Sequence, residues 1–146
     1  MKRYFLIFAT LTVFATALFF NNIKAVISPE TPVSKEINLA VATDNNYTSA
    51  VYKDALAKVQ IAIIKVSGNK QTIVWDKTYD NLPLQKYPEL TNAFIQNIKV
   101  PNILDSKEKL YISYKVTYNS KGSVLQVANG SAVSTGDSEE KLFINI

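Results

Sequence analysis

From Ile37 onward the chain is written in twos. Ile37, Leu39 and Val41 alternate with Asn38, Ala40 and Ala42, the period of a strand with one buried face. The longest alternation places Leu110, Ile112, Tyr114, Val116 and Tyr118 on one side and Tyr111, Ser113, Lys115 and Thr117 on the other. Five apolar positions in step predict the inward face of a central strand.

Turn chemistry separates these runs. Val59 to Val66 is apolar and β-branched, Ser67-Gly68-Asn69-Lys70 follows, and the run resumes through Ile73, Val74 and Trp75 to Tyr79, which predicts a hairpin. The alternation slips at Ile63-Ile64, as at a β-bulge or in a strand buried on both faces. A second hairpin is predicted around Asn119-Ser120-Lys121-Gly122, returning along Ser123 to Ala128. Phe94, Ile98 and Val100 mark a strand that Pro101 is expected to close. Leu142, Ile144 and Ile146 mark a last strand, whose edge offers a place for another protein to pair. Ser49 to Lys58 reads either as a short helix capped by Ser49 or as the start of the strand that follows; Val51 and Tyr52 tip the reading to strand. About seven strands with no long helix predict an all-β domain, a single antiparallel β-sandwich of immunoglobulin-like type. The Cys-Trp-Cys hallmark of antibody domains is missing, so the likeness is one of architecture.

The N-terminus breaks the pattern. Lys2 and Arg3 precede an apolar run from Tyr4 to Phe20, and Ile23-Lys24-Ala25 offers a cleavage point after Ala25. This is the layout of a secretory signal peptide. The alternative is an uncleaved anchor, for which the run is short, since the hydrocarbon core asks for roughly 20 residues. The expected organisation is a signal peptide over 1–25, a proline-bearing linker over 26–36 and a β-sandwich domain over 37–146. The localisation it implies is secreted or periplasmic, in a bacterial envelope, with membrane contact only through the N-terminal segment if that segment is retained.

The charge follows the leader. Of 16 basic residues, Lys2, Arg3 and Lys24 leave with it, and the remaining 13 lysines face 12 acids, a net +1 instead of +4. No arginine follows Arg3. A near-neutral surface without guanidinium forks lacks the electrostatic footprint of a nucleic-acid binder. The chain contains neither cysteine nor histidine. Disulfides, thiolate chemistry, Ser-His-Asp triads and histidine-ligated metals are thereby excluded.

What remains is thin. Ser67-Gly68-Asn69-Lys70 and Ser106-Lys107-Glu108-Lys109 match a Ser-x-x-Lys nucleophile pattern without its companion elements, and read as turns. Asp76 with Asp80, or Asp105 with Glu108, supply carboxylates for a small glycoside hydrolase only if two converge in a cleft. Loop acids, represented by Asp44, Asp105 and Asp137, fit a structural calcium better, although none follows EF-hand spacing. Trp75 and Tyr79 share one side of a predicted strand, and with Tyr111 they form a stacking platform for sugar rings if exposed, and core if buried. The expectation is therefore an exported, non-catalytic β-sandwich acting by binding or structural interaction. Its partner is a protein or a glycan, and no cofactor beyond calcium is implied. A carbohydrate-binding module and a membrane-anchored envelope protein are the alternatives.

Overall fold

Residues 30–44 and 47–146 are described in a computed structural model. Thr31–Ile146 forms one unit. The expected signal segment and the first part of the expected linker lie outside the described residues.

Among the described residues, seven strands build two sheets: β1 (Val33–Ala42), β2 (Leu56–Ser67), β3 (Lys70–Pro83), β4 (Phe94–Ile103), β5 (Glu108–Ser120), β6 (Ser123–Val133) and β7 (Glu139–Asn145). The orders are β4-β1-β7 and β3-β2-β5-β6. The inward side chains of both sheets form one apolar cluster, with Ile37, Leu39 and Val41 from β1, Val59, Ile61 and Ile63 from β2, Ile112 and Val116 from β5, and Ile144 from β7. That is a β-sandwich. One pairing departs from the antiparallel expectation: β1 runs parallel to β7, from Glu36 opposite Glu139 to Ala42 opposite Asn145. The first and last strands enter the layer from the same end, so no hairpin can join them and the intervening chain makes the crossing.

Both predicted hairpins form. Ser67 pairs with Lys70 and Ser120 with Ser123, each across a two-residue loop. In the second, Lys121 (φ 49°) and Gly122 (φ 83°) both take positive φ, the type I′ pattern that matches the twist of its arms. Its return strand runs to Val133, beyond the expected Ala128.

Three local readings change and a fourth is sharpened. β1 begins at Val33, so Val33 to Glu36 is strand where the sequence predicts linker. Ser49 to Lys58 divides: a 3-10 turn spans Ala50–Tyr52 under a Ser49 cap, and strand starts at Leu56. β4 does not close at Pro101 but passes through it to Ile103. Lys35 pairs with Val100 and Val33 with Ile103, so Pro101-Asn102 sits in a bulge on an edge strand, where a proline removes no ladder hydrogen bond. The slip at Ile63-Ile64 is a bulge whose extra residue lies on the partner: Ile63 faces Trp75 and Ile64 faces Ile73, leaving Val74 between. Ile73 and Trp75 are thus on opposite faces, not in phase.

Candidate functional site

The outer face of the four-stranded sheet is arranged in rows set by register. One row reads Ile73, Ile64, Tyr111, Ala132; the next Asp76, Ala62, Ser113, Gly130; the next Thr78, Gln60, Lys115, Ala128. The middle row is built of small side chains, and it sinks below its neighbours. Gly130 is required there by close approach, because a Cβ would lie 2.7 Å from the Ile112 carbonyl oxygen. The result is a shallow trough of about 300 Å³ floored by Ala62 and Ser113, with Ile73 on one bank, Gln60, Thr78 and Lys115 on the other, and Asp76 at the β3 end. Ile73 is 62 % and Tyr111 38 % exposed, so the first bank presents apolar surface to solvent. Alternation on β5 explains why Tyr111 is here: Leu110 and Ile112 are buried on the other face.

The three aromatics singled out from sequence do not share a surface. Tyr111 faces out. Trp75 and Tyr79 are half-buried on the inward face, packed against the core. Trp75 borders a separate cleft of about 210 Å³ between the β3 and β4 edges, with Lys65, Lys99 and Pro101. Tyr79 stacks on Phe94 at 5.0 Å between ring centroids and 9° between planes, and Tyr87 meets the same ring edge-on at 6.2 Å. Burial raises the Tyr79 phenol above its ordinary value, against a smaller opposing pull from the Gln96 side chain. Its buried hydroxyl makes no well-formed hydrogen bond among the described residues. Burial, with Tyr118 and Tyr79 nearby, pushes Tyr87 up to about 12, and its hydroxyl donates to the Ala57 carbonyl at 3.1 Å.

The acids suggested as calcium ligands divide between two places. Asp44 exchanges hydrogen bonds with the Asn145 amide, while Asn45 and Asn46 lie outside the described residues. Asp105 and Asp137 do meet, around a lysine. Lys35, 3 % exposed, places Nζ 2.8 Å from Asp105 Oδ2, 2.5 Å from the Asp137 carbonyl and 3.3 Å from the Ser134 carbonyl. The Gly136 N–H donates to the same Asp105 oxygen at 2.9 Å. An ammonium therefore occupies the oxygen cage that a hard cation would take. These bonds from Lys35 and Gly136 hold the Asp105 carboxyl below the usual carboxylate range. Glu108 is lowered in the same way by the Leu104 N–H and by Lys65, 3.1 Å away. Asp80 pairs with Lys58 at 3.1 Å. Of the carboxylates considered for glycoside hydrolysis, Asp80, Asp105 and Glu108 are thus each met by a lysine, and Asp76 stands at the trough. Among the described residues no group of three metal-ligating acids is present, and no helix is long and apolar enough to cross a membrane.

No family model, curated protein or solved structure matches the chain.

Proposed function

We propose that this protein is an exported, non-catalytic module that binds another protein through the outer face of its four-stranded sheet. The observation that carries the reading is the trough over Ala62 and Ser113 with the exposed Ile73 and Tyr111 bank beside it. An apolar bank facing a polar one suits a chain segment with alternating side chains, and Lys115 and Asp76 supply opposite charges at its rim. The immunoglobulin-like likeness belongs to this proposal in an architectural sense only. Two packed sheets carry exposed faces, but β1 pairs with β4 and β7, whereas the constant-type immunoglobulin order sets the first strand beside the second. Export rests on the Lys2-Arg3 head, the apolar run and the Ala25 boundary. Sugar stacking is the weaker alternative, because Tyr111 lies on one face while Trp75 and Tyr79 lie on the other.

The test is a photo-crosslinking amino acid placed at Ser113 in the full-length chain, in cells of its source, with Asn97 on the outer face of the other sheet as control. Expected are protein adducts from position 113 in the exported fraction, lost when Ile73→Lys is added and absent from position 97. Equal adducts at both positions, or none at 113, overturn the reading.

A further inference from the structure

The four edge strands are not equally defended. β3 carries Lys70, Asp76, Lys77 and Asp80, two register breaks and Pro83. β4 carries Lys99 and the Pro101-Asn102 bulge. β7 opens with Glu139, Glu140 and Lys141. These are the usual devices that stop an edge from pairing. β6, Ser-Val-Leu-Gln-Val-Ala-Asn-Gly-Ser-Ala-Val, has none of them: eleven residues without a charge, a proline or a register break.

Its large exposed apolar side chains fall in one half. Val124 is 60 %, Leu125 62 % and Val127 47 % exposed. Leu125 and Val127 share the inward face with Tyr118 and Val116, which they oppose, yet remain open at the edge of the four-stranded sheet. The hairpin closes at Ser120 and Ser123, so Ser123, Leu125 and Val127 exchange hydrogen bonds with β5. The peptide groups of Val124, Gln126 and Ala128 then face the open side. Beyond them the Gly130 N–H is taken by Asn129 Oδ1 at 2.8 Å, which ends the unpaired stretch.

The geometry points to a second copy of this chain as the occupant, joined β6 to β6 in antiparallel register about Gln126. In a two-fold pair each residue meets its own sequence, so any charge near the centre faces its like. An uncharged strand fits that partner, and the other three edges do not. Keeping each side chain on its own face restricts the register to centres on a residue. The centre on Gln126 sets Leu125 of one copy against Val127 of the other, twice, and Val124 against Ala128, and brings the Asn129-capped Gly130 opposite Gly122 in the turn, where no ladder bond is needed. Lys121, in the turn, meets Ser131. The pair forms a continuous eight-stranded sheet and places two troughs side by side.

The chain has no cysteine, so Gln126→Cys introduces a unique thiol. In the paired register the two Cα atoms lie about 5.5 Å apart, within disulfide reach. Full-length Gln126→Cys is expected to form a disulfide dimer at least tenfold faster under mild oxidation than Lys77→Cys on the defended β3 edge. Gln126→Lys, which sets two ammonium groups face to face, is expected to weaken self-association at least tenfold by light scattering, with an unchanged circular dichroism spectrum. Equal oxidation rates at positions 126 and 77 would overturn the assignment. So would capture of a different protein, instead of a second copy, by the thiol introduced at position 126, or undiminished association of a folded Gln126→Lys variant.

Discussion

At the residue scale, Lys35 ties together three segments far apart in the chain. The start of β1, the β4–β5 loop through Asp105 and the β6–β7 loop through Ser134 and Asp137 all meet at its ammonium, and the Gly136 N–H joins them through Asp105. A buried ion pair adds little net stability, but breaking it by removing one partner strands the other charge. Asp105→Asn leaves the lysine charged and 3 % exposed, and should cost about 3 kcal/mol, read as a lower urea midpoint. Lys35→Met leaves instead a carboxylate that is 21 % exposed and still bonded to Gly136, so the loss should be smaller. Combining the two should recover part of the deficit. The sign with pH follows from the lowered carboxyls of Asp105 and Glu108. Their contribution is complete above the ordinary carboxylate range of about 4. It fades as the pH falls through their depressed values.

At the scale of elements, turns and bulges fix which side chains meet. Lys121 holds a left-handed conformation that a lysine adopts reluctantly, at φ 49°, ahead of Gly122. Lys121→Asn gives the turn its preferred pair and should raise stability by about 0.5–1 kcal/mol, visible as an increase in Tm of a few degrees. Much of this level was legible in the sequence, because it depends on neighbours: both hairpin loops, the stripe from Leu110 to Tyr118 and the slip at Ile63-Ile64. What was not legible depends on the partner strand. The slip in β2 did not reveal that the inserted residue is Val74 on β3, which parts Ile73 and Trp75 onto opposite faces. Pro101 reads as a stop until β1 is known to accommodate it as a bulge. The trough shows only once three strands are in register, since Ala62, Ser113 and Gly130 are ordinary residues one at a time. The pairing of Lys35 with Asp105 spans 70 positions, beyond the reach of any local pattern.

At the scale of the whole molecule, the absence of histidine and cysteine leaves no side chain with an ordinary pKa between the carboxylates and the lysines and tyrosines. Stability is therefore expected to be flat from about pH 5.5 to pH 9 in urea titrations. Above that plateau the buried phenols respond. Tyr87 is shifted up to about 12, and Tyr79 and Tyr118 move the same way, chiefly through burial. Such groups stabilise the folded state below the ordinary phenol value. Their contribution declines as the pH climbs from about 10 through Tyr87's own value, by up to about 2–3 kcal/mol for that residue.

The parallel pairing of β1 with β7 also orders events in time. Ile144 is fully buried, and Ile146 is held by Thr43 and Tyr47 at its carbonyl, so the last strand of the sandwich closes the layer begun by the first. A nascent chain cannot finish this core until β7 is free. Long-range closure of that kind is slow, with milliseconds to seconds usual for β-sandwiches. A chain passing N-terminus first through a translocation channel would stay open until β7 had cleared it and lock only then, so the delay that slows folding would also keep the polypeptide threadable.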